Sequence, residues 1–312
     1  MNWTEKKKMD TEQLPVMTYE ERRQKIREQL AERLAQDRAF LRCSIAGNPK
    51  TGKTGVAMDC RTEQEIKDGM KIRLLDFDDG ATTTWHTAWE KDPNIEIYVP
   101  QKDCYRIDGT IDWQEAFLNC NVWMEETREM IAQGNVRAVI LDGVDKVKDA
   151  SSDVFREHLV KGARKKGQVI MDTDSMKPPS TLDWRIRNQV HDRVVNPFYN
   201  LNCDVFFVTH MKPIYEGIAV PVPIGFEPDW YKTVPQNMYQ MIEIHELKKG
   251  NYTEYVARLK ACKTNPSLVG KEWVVFRVKN WQGEEETLDD NEWFGIPELK
   301  TGELKTGELK TK

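Results

Sequence analysis

Ala46-Gly47-Asn48-Pro49-Lys50-Thr51-Gly52-Lys53-Thr54 is the stretch from which the rest of the chain is read. Gly47, Gly52, Lys53 and Thr54 fall at the four fixed places of G-x-x-x-x-G-K-[ST], a phosphate-binding loop. Glycines let backbone N–H groups turn inward around a phosphate, a lysine reaches the outer phosphate oxygens, and a threonine hydroxyl serves as a magnesium ligand. A helix leaving the loop would add its N-terminal dipole. The flanks agree: Phe40 to Ala46 reads as a strand, and Lys53 to Cys60 as a helix. Gly47 through Gly55 is therefore the expected nucleotide-binding segment, with Asn48, Pro49, Lys50 and Thr51 between the fixed residues.

Downstream, apolar runs alternate with amphipathic ones. Lys71 to Gly80 is a short strand closing on Asp76, Asp78 and Asp79, and Ile95 to Val99 is a further strand. Trp113 to Ala132 has the period of a helix. Val136 to Gly143 is an apolar strand ending in Asp142, the form in which a carboxylate holds the Mg²⁺ water shell beside a phosphate loop. Asp183 to Leu201 reads as a helix interrupted near Pro197, and Cys203 to His210 as a buried strand ending Thr-His. Residues 211–235 hold five prolines and read as an extended loop or hairpin; strand-like runs follow at Met238–Glu246, Tyr252–Ala261 and Trp273–Val278.

Alternating strands and helices from 40 to 210 predict a parallel, doubly wound sheet covered on both faces. Ligands of such sheets bind beyond the C-terminal strand ends. The phosphate loop, Asp76/Asp78, Asp142 and Thr209/His210 all fall at such ends, so four strands deliver polar groups to one edge.

Composition narrows the class. With 31% charged residues and a net charge of −5, nothing in the bulk charge demands a nucleic acid, so any DNA contact must be local. The six cysteines form no C-x-x-C pair, which suits reduced thiols in the cytoplasm. No apolar run is long enough for a membrane span, and no signal-like segment opens the chain. Residues 1–39 read as an arm, with Thr18-Tyr19-Glu20-Glu21 as a capping box opening a helix to about Asp37. Its stripe of Ile26, Leu30 and Leu34 suits either its own domain or a neighbouring subunit. Residues 40–297 form the main domain. In 298–312, Glu-Leu-Lys-Thr recurs every five residues, which at ~100° per residue puts successive leucines roughly 140° apart on a helix; the tail is expected to be disordered.

Taken together, the phosphate loop, the strand ending Asp-Phe-Asp, the strand ending Leu-Asp-Gly and the strand ending Thr-His resemble the RecA-like ATPase core. They are similar in particular to the small RecA-like ATPases of phages and archaeal viruses proposed as single-strand annealing recombinases. The resemblance covers about 40–280. It implies an α/β RecA-like P-loop NTPase fold: a mainly parallel sheet with helices on both faces, an N-terminal helix and antiparallel C-terminal strands. It further implies ATP and Mg²⁺, a homo-oligomeric ring or filament, and a cytoplasmic site of action (the host's, if the protein is viral).

By the same resemblance Asp78 polarises the attacking water, and His210 senses the γ-phosphate. Lys260-Ala261-Cys262-Lys263 is the nearest match to a finger reaching a neighbour's phosphate, though it lacks the family's arginine. The loops after the Asp142 strand and after His210 would face single-stranded DNA. Arg164, Lys165 and Lys166 are the candidate contacts there, supplemented by Trp184, Arg185 and Arg187. The basic run also reads as a plain solvated face. Two functions stay open: a DNA-dependent ATPase of recombination or replication, and a motor or nucleotide switch acting on protein. A P-loop kinase fits less well, because no arginine-rich lid segment is present.

Overall fold

Two-residue alternation along the apolar strands decides the layering. The computed structural model describes residues 17–35, 40–165, 181–216, 222–231, 233–279 and 287–288. The segments 1–16 and 298–312, and Lys166, lie outside them. Contacts within the chain divide it into two units, Met1–Ala39 and Phe40–Lys312.

In the first unit, α1 (Tyr19–Ala35) opens with the capping box. Glu21 N–H donates to Thr18 Oγ1 at 3.3 Å and Thr18 N–H to the Glu21 carboxylate at 2.6 Å. Of the apolar stripe, Ile26 and Leu30 are more than half exposed.

The second unit carries β1 (Arg42–Gly47), α2 (Lys53–Met58), α3 (Glu63–Lys67), β2 (Lys71–Asp76), α4 (Ala81–Ala88) and β3 (Ile95–Tyr98). Then come α5 (Trp113–Ala132), β4 (Val136–Asp142), α6 (Val144–Lys165), α7 (Thr181–Tyr199), β5 (Asp204–Glu216) and β6 (Val222–Pro228). The chain continues with β7 (Gln240–Lys249), β8 (Tyr252–Cys262), β9 (Glu272–Lys279) and β10 (Thr287–Leu288). Among the described residues the strand order is β10-β9-β8-β7-β1-β5-β4-β2-β3, with β6 paired to β5 outside this path. From β3 to β7 the pairs are parallel; β8, β9 and β10 add antiparallel.

Ile45, Ile72, Leu74, Ile140, Phe206 and Val208 pack on one face with Val56, Ala57 and Met58 of α2. Leu75, Val139, Leu141, Val205 and Phe207 pack on the other with Phe117 and Trp123 of α5, Val147 of α6 and Phe198 of α7. Each of the larger of these side chains (valine, leucine, isoleucine, methionine and phenylalanine) contributes about 1.5–3 kcal/mol. Because both faces are apolar, this pattern alone would tolerate a one-residue slip in register. Polar groups remove that freedom. At the N-terminal strand ends, Asp204 accepts from the Leu41 N–H at 2.9 Å and pairs with Arg137 at 2.5 Å, joining β1, β4 and β5 in one alignment.

Four expectations need correction. The helix after the phosphate loop stops at Met58 rather than Cys60. No loop follows the Asp142 strand: α6 begins at Val144, and Arg164 and Lys165 fall in its last turn. α7 runs through Pro197 without a break, since a proline in the last turn removes only one ladder bond. Finally, β5 does not end at Thr209-His210. Its parallel part ends there, His210 being opposite Gly47, but Met211 to Glu216 continues as one arm of a hairpin with β6. The proline-rich stretch thus supplies a hairpin. All six cysteines are buried and free, as reduced thiols require.

Replacing Asp204 with alanine leaves the buried Arg137 guanidinium with only Glu65, at 2.6 Å, of the two carboxylates it meets, and removes the side-chain acceptor of the Leu41 N–H. We expect a loss of about 1–3 kcal/mol, read from urea unfolding. A loss under about 1 kcal/mol would show that the pair does not align these strands.

Candidate nucleotide site

The phosphate loop turns out of β1 between two close neighbours. A side chain at Gly47 would sit 2.6 Å from the Ile244 carbonyl oxygen and 2.7 Å from Thr51 Oγ1, so only glycine fits beside β7. Gly52 has φ of 79°, and a β-carbon there would lie 2.5 Å from the Phe276 ring. Asn48, Pro49 and Lys50 are exposed, whereas Thr51 and Lys53 are buried. Thr51 Oγ1 donates to the Asn48 carbonyl at 2.9 Å, and Lys53 Nζ donates to the same oxygen at 2.8 Å. The lysine holds its own loop closed and is positioned to exchange that carbonyl for a phosphate oxygen. Burial lowers its pKa, opposed by Asp142, Asp78 and Asp145. α2 is only six residues long, so an anion at this loop would depend on loop N–H groups and Lys53 more than on a helix dipole.

Parallel register brings the carboxylates to the loop. Asp76 lies opposite Asp142, and Asp142 opposite Val208. Thr54 Oγ1 donates to Asp142 Oδ2 at 2.6 Å, putting a hydroxyl and a carboxylate from two distant segments together. Asp142 is buried, and desolvation, reinforced by Asp76, pushes its pKa up to about 7. An oxygen donor set with excess buried negative charge suits a hard divalent cation such as Mg²⁺. Thr54 and Asp142 are the residues that would hold it.

The three candidate bases differ in surroundings. Both Asp76 oxygens are committed, one to the Asp78 N–H and the other to the Ala81 N–H, each at 2.9 Å. Asp76 therefore caps the turn into α4. Asp79 is exposed. Asp78 is half-buried, its carboxylate 3.5 Å from His210 Nδ1, and burial raises its pKa.

Sequence reading missed Asp145. It lies one residue into α6, a turn beyond Asp142, and its carboxylate meets His210 Nδ1 at 3.1 Å and lies 3.3 Å from Thr209 Oγ1. Its pKa is lowered: burial, the largest single influence, opposes this, and the His210 contacts outweigh it. The signal was present as Asp142-Gly143-Val144-Asp145, an aspartate on the first turn after a strand-ending one. Asp78, Asp145 and His210 thus converge from three strand ends.

Other predicted residues lie apart. Lys260 on β8 pairs with Glu243 at 3.2 Å, midway along the sheet. Lys263 stands 4.8 Å over the Tyr239 ring, beyond the sheet edge opposite the phosphate loop. Arg185 is exposed on α7. Arg187 lies 4.9 Å over the Tyr231 ring, in a groove of about 510 Å³ that Lys148, Lys212 and Trp230 also line.

No family model matches the chain, and no curated protein matches it. Among solved structures, the RadB recombinase is similar at 13% identity and a TM-score of 0.40, over 79% of this chain and 92% of that one. A KaiC-like protein from the hyperthermophilic archaeon Pyrococcus horikoshii is similar at 9% identity and a TM-score of 0.40, over 79% and 88%. The architecture itself is plain without them: a phosphate-loop strand separated from the Asp142 strand by β5, with antiparallel strands appended beyond β7. The fold is α/β, a mainly parallel sheet with helices on both faces and antiparallel strands at one edge. No described helix is long and apolar enough to cross a membrane.

The raised pKa of Asp142 makes a pH prediction. Between its ordinary 3.8 and about 7 the folded chain keeps a proton that the unfolded chain has lost, so this group destabilises progressively as pH rises through that window. In metal-free buffer, Asp142→Asn should gain on wild type between pH 4 and pH 8 by an amount on the order of 4 kcal/mol. Added Mg²⁺ should reduce the difference. A stability difference independent of pH would contradict the reading of Asp142 as a buried carboxylate whose desolvation outweighs Thr54 and Lys53.

Proposed function

We propose that this chain binds a nucleoside triphosphate, ATP foremost, with Mg²⁺ and hydrolyses its terminal phosphate. The observation that carries the reading is the 2.6 Å hydrogen bond between Thr54 and Asp142 at the mouth of the phosphate loop. Two metal-ligand types from segments far apart in sequence have little other reason to meet beside a phosphate-binding lysine. When bound, the cation would neutralise charge on the outer phosphates. Loop N–H groups and Lys53 hold the phosphate chain in line for attack. Asp78 accepts the proton of the water that attacks the γ-phosphorus as the bond to the bridging oxygen breaks. Its raised pKa makes it a better base than an exposed aspartate. His210, oriented by Asp145, faces the outgoing phosphate.

We further propose that the working form is a homo-oligomer acting on single-stranded DNA. Support comes from β5, which runs from Thr209 and His210 into the hairpin without interruption. The hairpin exposes Tyr215 and Phe226, rings suited to stacking on bases. Arg185 and Arg187 on α7, and Arg164 and Lys165 at the end of α6, would supply phosphate contacts. A finger role for Lys260 or Lys263 toward a neighbour's phosphate would require each to leave its present partner. Action on a protein substrate is the alternative, and DNA-stimulated turnover separates the two.

Lys53→Ala should weaken ATP binding by about 1.5–3 kcal/mol in calorimetry, the strength of a charge-assisted contact. Undiminished binding would sink the phosphate-loop assignment. Asp78→Asn should bind ATP·Mg²⁺ as wild type does yet turn over ~10²–10⁴-fold more slowly. Single-stranded DNA should accelerate wild-type hydrolysis, and Arg185→Ala with Arg187→Ala should reduce both that acceleration and the salt sensitivity of DNA binding. A rate indifferent to DNA would favour the protein-directed reading.

A further inference from the structure

The carboxylates and His210 lie to one side of β1, on β2, β4, β5 and the first turn of α6. The strands on its other side, β7, β8 and β9, carry none of the groups assigned to the terminal phosphate. A nucleotide whose γ-phosphate faces Asp78 and His210 has the β7–β9 side of the loop left for its ribose and base. What meets it there is aromatic. Phe276 of β9 presses its ring edge on Gly52, the residue before the phosphate-binding lysine, closely enough to exclude any side chain there. Tyr255 of β8, opposite Phe276 in register, stacks on it with centroids 4.2 Å apart and planes 15° from parallel. Both rings are only partly buried.

For core packing alone this arrangement is poorly economical. It places a large apolar ring against the most polar loop of the molecule and forbids a side chain at Gly52. The β8–β9 pairing is irregular between Tyr255 and Val256, directly beside the aromatic pair. We propose that the Phe276–Tyr255 pair is the platform on which the nucleobase stacks. The inference rests on the reading of the loop as a nucleotide site and adds the part of the ligand that the motif leaves open. Stacking uses the π-face common to all bases and carries no hydrogen-bond code.

The experiment compares ATP with inorganic tripolyphosphate, which has the phosphates without the base, by calorimetry in the presence of Mg²⁺. Phe276→Ala and the bulk-retaining Phe276→Leu and Tyr255→Leu are measured beside wild type. Removing the Phe276 ring should weaken ATP binding roughly 5- to 150-fold. Tripolyphosphate binding should stay within about twofold, and Phe276→Trp should keep wild-type affinity for ATP. Equal loss for both ligands, or no loss for ATP, would overturn the platform and leave Phe276 as a support for Gly52. Equal affinity of the wild type for ATP and tripolyphosphate would overturn it too, with the phosphate loop intact. Binding of neither ligand to the folded wild type would overturn the nucleotide reading and this inference together.

Discussion

The register of the parallel strands is the constraint on which everything else depends. Gly47 lies opposite His210 on one side and Ile244 on the other, while Asp76 lies opposite Asp142. Strand ends held level in this way bring side chains from four segments to one edge without any loop having to be shaped for it. Apolar burial alone would not hold that level, because both faces of these strands are apolar. The Arg137–Asp204 pair and the Asp204 bond to Leu41 hold it from the far end, so a polar cluster remote from the site decides where the site's residues meet.

The same convergence creates an electrostatic imbalance. Asp76, Asp78, Asp142 and Asp145 are gathered near Lys53 and His210. Backbone N–H groups satisfy Asp76 and His210 serves Asp145, which leaves the Asp142 carboxylate, among the described residues, with only the Thr54 hydroxyl in hydrogen-bond contact. A buried carboxylate so placed is costly unless a cation arrives. The imbalance is one that a bound divalent cation would relieve. Lys53, held on the Asn48 carbonyl, is the matching unsaturated cation on the other side of the loop.

Beyond His210 the chain has a mechanical continuity that a strand ending there would lack. The His210 carbonyl accepts from the Asp229 N–H at 2.8 Å, and Thr209 Oγ1 donates to the Asp229 carbonyl at 2.9 Å. Lys148 pairs with the Asp229 carboxylate. The base of the hairpin is therefore tied to the same two residues that Asp145 orients.

Local chemistry determined much of this in the sequence. The glycines and lysine of the phosphate loop, the apolar strands ending in Asp76 and Asp142, and the α5 boundaries follow from residue type and period, because a short segment suffices to state them. So did the layered α/β fold, since continuous apolar runs demand burial on both faces. Pairing between distant segments was decided only in three dimensions. Asp78 rather than Asp76 faces His210 because the turn into α4 consumes both Asp76 oxygens. The β5 strand outruns Thr209-His210 because β6 folds back to satisfy its backbone. Asp145 enters because α6 starts at once and turns its first carboxylate inward. Phe276 meets Gly52 through the register of strands more than two hundred residues later in the chain, and no local pattern in either segment encodes a contact made by that register.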